Sequence, residues 1–130
     1  MLVIKRMVKK IFVVDDDKGV LYTVKHGLES IEKEKYDIVC FDNAEMCLAT
    51  LKNFPIPDLI ILDIMMPGMN GWELERRIRA HPEWNKIPIV FLTATADESS
   101  KITGKSIEAD FLAKPFQLPD LKKRIDALLQ

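Results

Sequence analysis

From residue 11 onward, the chain alternates between short apolar runs and longer segments with helical periodicity. The runs are continuous rather than alternately apolar and polar, so each predicts a strand with both faces buried. Strict alternation of such strands with helices predicts a parallel sheet that helices cover on both sides. The predicted strands are residues 11–14, 36–41, 59–62, 88–92 and 111–113.

Apolar residues recur at helical spacing after the predicted strands. Asp17 is predicted to cap the first helix, whereas Asp42 and Glu45 resemble a capping box for the second. The helical pattern is weakest over residues 97–106, because Thr103 and Gly104 have low helix propensity. The apolar positions that define the other helices are Leu21, Val24, Leu28 and Ile31; Ala44, Leu48 and Leu51; Leu74 and Ile78; and Leu118, Leu121, Ile125 and Leu128.

The composition fits one soluble globular domain. The chain has 130 residues, 48% hydrophobic and 30% charged, and no linker or repeat divides it. We therefore expect one domain over residues 9–130, after an N-terminal extension at residues 1–8.

A net charge of −1 without a basic cluster argues against direct binding of nucleic acid. No apolar run approaches the ~20 residues of a membrane span. Cys40 and Cys47 fit neither a disulfide framework nor a zinc site, which favours the cytoplasm.

Polar and charged side chains stand where the predicted strands end. Asp15 and Asp16 follow the first strand, Asp63 the third, Thr93 the fourth and Lys114 the fifth. In an open α/β sheet, ligands bind outside the carboxyl ends of the strands, where the strand order reverses. The five side chains are therefore expected to converge on one rim of the sheet.

Three carboxylates at one rim predict a cation site. Asp15, Asp16 and Asp63 would raise one another's pKa unless a cation compensated their charges. Hard oxygen ligands without His or Cys favour Mg²⁺, with Mn²⁺ as the alternative. A carboxylate beside such an ion can attack phosphorus and form an aspartyl-phosphate. Lys114 and Thr93 would then stabilise the phosphoryl oxygens.

Four segments resemble the signature segments of response-regulator receiver domains. They are VVDD at 13–16, DIMMPG at 63–68, FLTA at 91–94 and KPF at 114–116, each at the expected strand end. The resemblance runs from about Lys9 to the end of the chain. It implies a doubly wound (βα)5 fold with a single five-stranded parallel sheet and the flavodoxin-like strand order 2-1-3-4-5.

The resemblance also implies a role for each matching residue. Asp63 is the expected phosphoacceptor and a metal ligand. Asp16 is expected to bind the metal directly, Asp15 through a metal-bound water, and Met65 through its backbone carbonyl. The residues expected to contact the phosphoryl group are Thr93 and Lys114.

Three finer expectations follow from the same resemblance. Phe111 stands where the family has an aromatic switch residue, which turns inward when Thr93 moves toward the phosphate; the alternative is an ordinary core residue. The Lys114–Pro115 peptide is expected to be cis. Slow loss of the phosphoryl group is predicted, because Met65 and Thr95 are poorly suited to orient a hydrolytic water.

The implied partners are a sensor histidine kinase and either a downstream protein target or a phosphotransfer protein. The family's usual docking face corresponds to residues 97–130, which include Lys122, Lys123 and Arg124; these charges also fit the solvated face of the last helix. No ordinary enzyme activity is expected, only promotion of the domain's own phosphorylation and dephosphorylation at Asp63. The last helix ends at Gln130, so a stand-alone or an excised receiver is expected.

Two other functions compete with a phosphorylated receiver. A haloacid-dehalogenase-like phosphohydrolase also uses a strand-end Asp and Mg²⁺, but that family usually has a second Asp two residues later, where this chain has Met65. A degenerate receiver would bind partners without phosphorylation. All five chemical positions are filled here, which argues against it.

Overall fold

The computed structural model describes residues 8–32, 34–94 and 109–130. These residues form five strands and four helices. The strands are β1 (Lys9–Val14), β2 (Tyr36–Phe41), β3 (Leu59–Asp63), β4 (Ile89–Thr93) and β5 (Ala109–Ala113). The helices are α1 (Lys18–Ile31), α2 (Ala44–Asn53), α3 (Gly71–Ala80) and α4 (Leu118–Leu128). The helix predicted at 97–106 lies outside the described residues.

All the strands pair in parallel, in the order β2-β1-β3-β4-β5. The predicted fold class and strand order are therefore confirmed. The chain runs from β1 outward to β2, then crosses back to place β3 on the other side of β1. The order reverses at this point, so the carboxyl ends of β1 and β3 flank the crevice in which a ligand would bind.

Two apolar clusters cover the two faces of the sheet, because neighbouring strand residues point to opposite faces. Ile60 and Leu62 of β3 belong to the cluster that contains residues of α2 and α3. Leu59 and Ile61 belong to the other, which contains residues of α1 and α4. Every residue of β3 is buried, as the unbroken apolar run predicted. No helix within the described residues combines the length and apolar character that crossing a bilayer requires.

The helix boundaries confirm one prediction and correct two others. Asp17 caps α1, and its carboxylate accepts a hydrogen bond from Gly19 N at 2.8 Å. Pro119 lies in the first turn of α4, where its missing N–H removes no helical hydrogen bond. The capping box at the start of α2 was wrong: the cap is Asn43, one residue after Asp42, and it accepts a hydrogen bond from Met46 N. Ile31 was expected on the apolar face of α1, but this last residue of the helix is 45% exposed.

Two of the three basic residues in α4 are engaged in ion pairs with neighbouring elements. Lys122 Nζ lies 2.7 Å from Glu32 Oε1, just beyond α1. Arg124 Nη1 lies 2.8 Å from Asp110 Oδ1 in β5. Lys123 is exposed. Lys122 and Arg124 therefore connect α4 to its neighbours, while Lys123 fits the solvated face that was the alternative interpretation.

Candidate functional site

Three aspartates meet at the carboxyl ends of β1 and β3. Asp15 and Asp16 follow directly on β1, and Asp63 is the last residue of β3. One carboxylate oxygen from each of them lies within 4.8 Å of the others. Asp15 and Asp63 are buried, whereas Asp16 is exposed. The structure thus brings together the carboxylates that the sequence predicted at this rim.

Lys114 faces the buried pair of carboxylates. Its Nζ atom lies 2.8 Å from Asp15 Oδ2 and 3.3 Å from Asp63 Oδ1. Its backbone N–H donates to the carbonyl of Thr93 at 2.7 Å, next to the last residue pair of β4 and β5. This contact fixes the point from which the long side chain reaches the aspartates. The Lys114–Pro115 peptide is cis, as predicted.

The rim places two buried carboxylates against one ammonium group. Burial, and next the negative charge of Asp15, raise the pKa of Asp63 from 3.8 to about 7, although Lys114 acts in the opposite direction. Burial lowers the pKa of Lys114, but hydrogen bonding and charge from Asp15 and Asp63 outweigh it, so the net shift is upward. One ammonium therefore compensates the two buried carboxylates only in part.

The donor atoms suit a small divalent cation. Asp15 Oδ1 accepts a hydrogen bond from Asp17 N at 2.9 Å, which fixes the orientation of the carboxylate. Asp15 Oδ2 is buried, and Lys114 Nζ lies 2.8 Å from it as its ion-pair partner. A cluster of three carboxylates without nitrogen or sulfur ligands fits Mg²⁺.

Thr93 and Met65 lie at the same rim. Thr93 ends β4 and is buried; Asp63 pairs with the preceding residue, Leu92, so Thr93 extends one residue further toward the rim. Met65 follows Asp63 by two residues, and its side chain is 62% exposed. A side chain so open to solvent agrees with a residue expected to act only through its backbone carbonyl.

Phe111, the predicted switch residue, is partly buried on β5. Its ring stacks on that of Phe91, with centroids 5.3 Å apart and planes at 10°. The ring of Phe91 in turn contacts Trp72 of α3, with centroids 5.3 Å apart. This packing agrees with either interpretation of Phe111, and its switching role stays a prediction. Thr95 lies outside the described residues.

Sequence reasoning missed one residue beside the site. Gly71 is the first residue of α3 and lies against the backbone of Asp63. The sequence does show a glycine at the start of a helix, a position that its low helix propensity does not favour. Such a glycine indicates that the helix packs closely against another segment, but the sequence does not show which one.

Comparison with known proteins agrees with this geometry. Residues 11–126 match the family model described as the response regulator receiver domain. The chain is 39% identical to the phosphate regulon transcriptional regulatory protein PhoB of Rhizobium meliloti, over 95% of this chain and 53% of that protein. It is 38% identical to the regulatory protein VanRB of Enterococcus faecalis, over 93% of this chain and 52% of that protein.

A solved structure shows the same fold. The chemotaxis response regulator CheY4 of Vibrio cholerae superposes with a TM-score of 0.82 at 28% identity, covering 95% of this chain and 100% of that one. The chain spans about half the length of the two curated relatives. The family match covers most of the chain, and the strand order and acidic rim agree with it. This chain therefore belongs to the response regulator receiver domain family and acts in signalling.

Proposed function

We propose that this receiver domain accepts a phosphoryl group on Asp63, with Mg²⁺, or alternatively Mn²⁺, bound at the acidic rim. Asp16 and Asp63 would bind the ion directly, Asp15 through a water, and Met65 through its backbone carbonyl. The observation that carries the proposal is the convergence of three carboxylates within 4.8 Å of one another. Lys114 and Thr93 border the same point.

The reaction would be an attack of a carboxylate oxygen of Asp63 on phosphorus. A new oxygen–phosphorus bond forms as the bond from phosphorus to the donor breaks, and the donor leaves with that electron pair. The bound divalent ion would supply positive charge that favours ionised carboxylates and offsets the charge of the phosphoryl oxygens. The ammonium of Lys114 and the hydroxyl of Thr93 would donate hydrogen bonds to those oxygens.

The partners we propose are those of a signalling receiver. A sensor histidine kinase would supply the phosphoryl group in the cytoplasm. A downstream target would then bind the phosphorylated domain, or a phosphotransfer protein would accept the phosphoryl group from it. Residues 11–126 match the receiver family, which argues against the dehalogenase-like phosphohydrolase. The presence of all five site residues argues against a degenerate receiver. Promotion of its own phosphorylation and hydrolysis at Asp63 would be the domain's only chemistry.

Phosphorylation is expected to require a divalent cation. Without one, Lys114 must compensate both buried carboxylates, and incoming phosphoryl oxygens would add further negative charge. The protein incubated with acetyl phosphate and Mg²⁺ should gain the mass of one phosphoryl group, and the gain should disappear in EDTA. Mn²⁺ should restore it. Equal labelling in EDTA and in Mg²⁺ would rule out the metal-assisted mechanism.

The phosphorylated form is expected to be long-lived. Met65 has no hydrogen-bonding head group to place a water in line with the oxygen–phosphorus bond, and Thr95, at the second such position, is short. Restoring one orienting hydrogen bond by Met65→Asn should speed hydrolysis about tenfold, the equivalent of ~1.4 kcal/mol in the barrier. Decay of the phosphorylated protein in Mg²⁺, followed by intact mass, measures this rate.

The matched control for this substitution is Met46→Asn. Met46 is also an exposed methionine, 55% accessible, but it lies on α2. The substitution Met46→Asn should leave the decay rate of the phosphorylated protein unchanged. Decay of the parent within seconds, or equal rates for the parent and Met65→Asn, would contradict the role given to Met65.

A further inference from the structure

The first residue of α3 lies unusually close to the backbone that carries the phosphoacceptor. A Cβ atom added to Gly71 would stand 2.3 Å from the carbonyl oxygen of Asp63 and 2.8 Å from the Cα atom of Ile64. Real Cβ atoms do not approach other heavy atoms so closely. Among the described glycines, only Gly68 has a positive φ, at 74°. The requirement for glycine at position 71 is therefore one of space and not of backbone conformation.

The Asp63–Ile64 segment is held from two sides. Toward β4, the N–H of Ile64 donates to the carbonyl of Leu92 at 3.2 Å. Toward α3, the carbonyl of Ile64 accepts from the N–H of Gly71 at 2.8 Å. Ile64 is itself fully buried. A side chain at position 71 would thus press on a backbone that cannot move without loss of a hydrogen bond or of core packing.

We propose that Gly71 is a positioning residue for the reaction at Asp63, which rests on the function proposed above. By letting α3 dock directly on the Asp63–Ile64 backbone, Gly71 sets where the Asp63 carboxylate stands relative to Asp15 and Lys114. A methyl group at position 71 displaces that backbone, and the carboxylate moves with it. Both cation binding and phosphoryl transfer depend on this position, because misplacement of a reacting group by about 1 Å can cost a hundredfold in rate.

Gly27 provides a matched control on another helix. A Cβ atom added to Gly27, within α1, would stand 2.2 Å from Leu118 Cδ1. That atom is the far end of a flexible side chain, which can rotate away, whereas the atoms facing Gly71 are backbone. Both substitutions to alanine therefore crowd a helix packing contact, but only Gly71→Ala displaces the phosphoacceptor.

The experiment compares Gly71→Ala and Gly27→Ala with the parent. Mg²⁺ affinity is measured without phosphodonor, from amide NMR shifts during a titration, and unfolding by urea is measured alongside. Gly71→Ala is expected to weaken Mg²⁺ binding about tenfold or more, the usual consequence of losing support behind a metal ligand. Labelling by acetyl phosphate should slow in the same variant. Gly27→Ala should keep parental Mg²⁺ affinity and labelling rate, whatever its stability.

A second pair of variants tests the same idea if Gly71→Ala does not fold. Asn70 caps α3 through a hydrogen bond from Glu73 N at 3.0 Å, and Asn43 caps α2 in the same way through Met46 N at 2.8 Å. Asn70→Ala loosens the docked turn without adding atoms and should weaken Mg²⁺ binding, whereas Asn43→Ala should lose only stability.

Three results separate the possible failures. Parental Mg²⁺ affinity in folded Gly71→Ala overturns the positioning role. Equal losses of Mg²⁺ affinity in Asn70→Ala and Asn43→Ala would also overturn the positioning role. A parent that neither binds Mg²⁺ nor becomes labelled overturns the proposed function itself, and with it the basis of this inference.

Discussion

Asp63→Asn is expected to abolish phosphorylation and to stabilise the metal-free protein at the same time. The first effect follows because an amide cannot replace the carboxylate nucleophile. The second follows from the raised pKa of Asp63, which moves from 3.8 to about 7 because burial and Asp15 disfavour the charged form. A carboxyl group with a raised pKa in the folded state destabilises the fold once it is ionised.

The sign of this effect gives a pH dependence. The charge penalty is absent below pH 3.8, grows as the pH rises, and is complete above about pH 7. Each pKa unit corresponds to about 1.4 kcal/mol, but the new amide must also find hydrogen bonds in a buried site, so we expect a net gain of about 2 kcal/mol at pH 8. Urea unfolding in EDTA at several pH values would show the gain of the variant over the parent shrinking as the solution is acidified.

Added Mg²⁺ should reverse the order of the two proteins. The ion binds the folded parent and raises its free energy of unfolding by mass action, whereas the variant has lost a ligand and should gain much less. The control is Asp42→Asn, since Asp42 follows β2 and also lies near a strand end. It should keep labelling and show neither the pH-dependent gain nor the loss of response to Mg²⁺. Labelling that persists in Asp63→Asn would place the phosphoacceptor elsewhere.

The parts of this molecule that sequence alone could predict are those set by local pattern. The unbroken apolar run before Asp63 predicted a strand buried on both faces, and β3 is buried throughout. Residues that end parallel strands must share one edge of the sheet, so Asp15, Asp63 and Thr93 could be placed together before any distance was known. The resemblance of four segments supplied the roles expected of them.

The parts that sequence could not predict depend on tertiary distances or on single-residue boundaries. Asn43 and Asp42 are both good caps, and only the position of the first turn of α2 decides between them. The contact of Gly71 with the Asp63 carbonyl depends on how closely α3 packs against the end of β3. The spacing of apolar residues in the sequence does not predict that distance. The ion pair of Lys114 with Asp15 also depends on tertiary structure, because the Lys114 side chain reaches from the end of β5 to the end of β1, with β3 and β4 between these strands.

Lys114→Met is expected to slow phosphorylation about a hundredfold or more, the usual effect of removing one preorganised donor to developing charge. The ammonium lies 2.8 Å from Asp15 Oδ2 and 3.3 Å from Asp63 Oδ1, so it borders the point where phosphoryl oxygens would arrive. Methionine has a similar length and no charge, so the substitution removes the donor with little change in packing. The rate of labelling by acetyl phosphate at saturating Mg²⁺ measures the loss.

The same substitution should leave Mg²⁺ binding as tight as in the parent, or tighter. In the metal-free protein Lys114 neutralises part of the charge on Asp15 and Asp63, so it competes with a cation for those carboxylates. Removing it makes the rim more negative, which raises the attraction for a divalent ion while the chemistry becomes slower. This opposite change in Mg²⁺ affinity and labelling rate distinguishes Lys114 from Gly71, for which both should fall together.

Lys123→Met on the exposed face of α4 is the control and should change neither quantity. A parental labelling rate in Lys114→Met, or a loss of Mg²⁺ affinity that parallels the loss of rate, would contradict the role proposed for the ammonium.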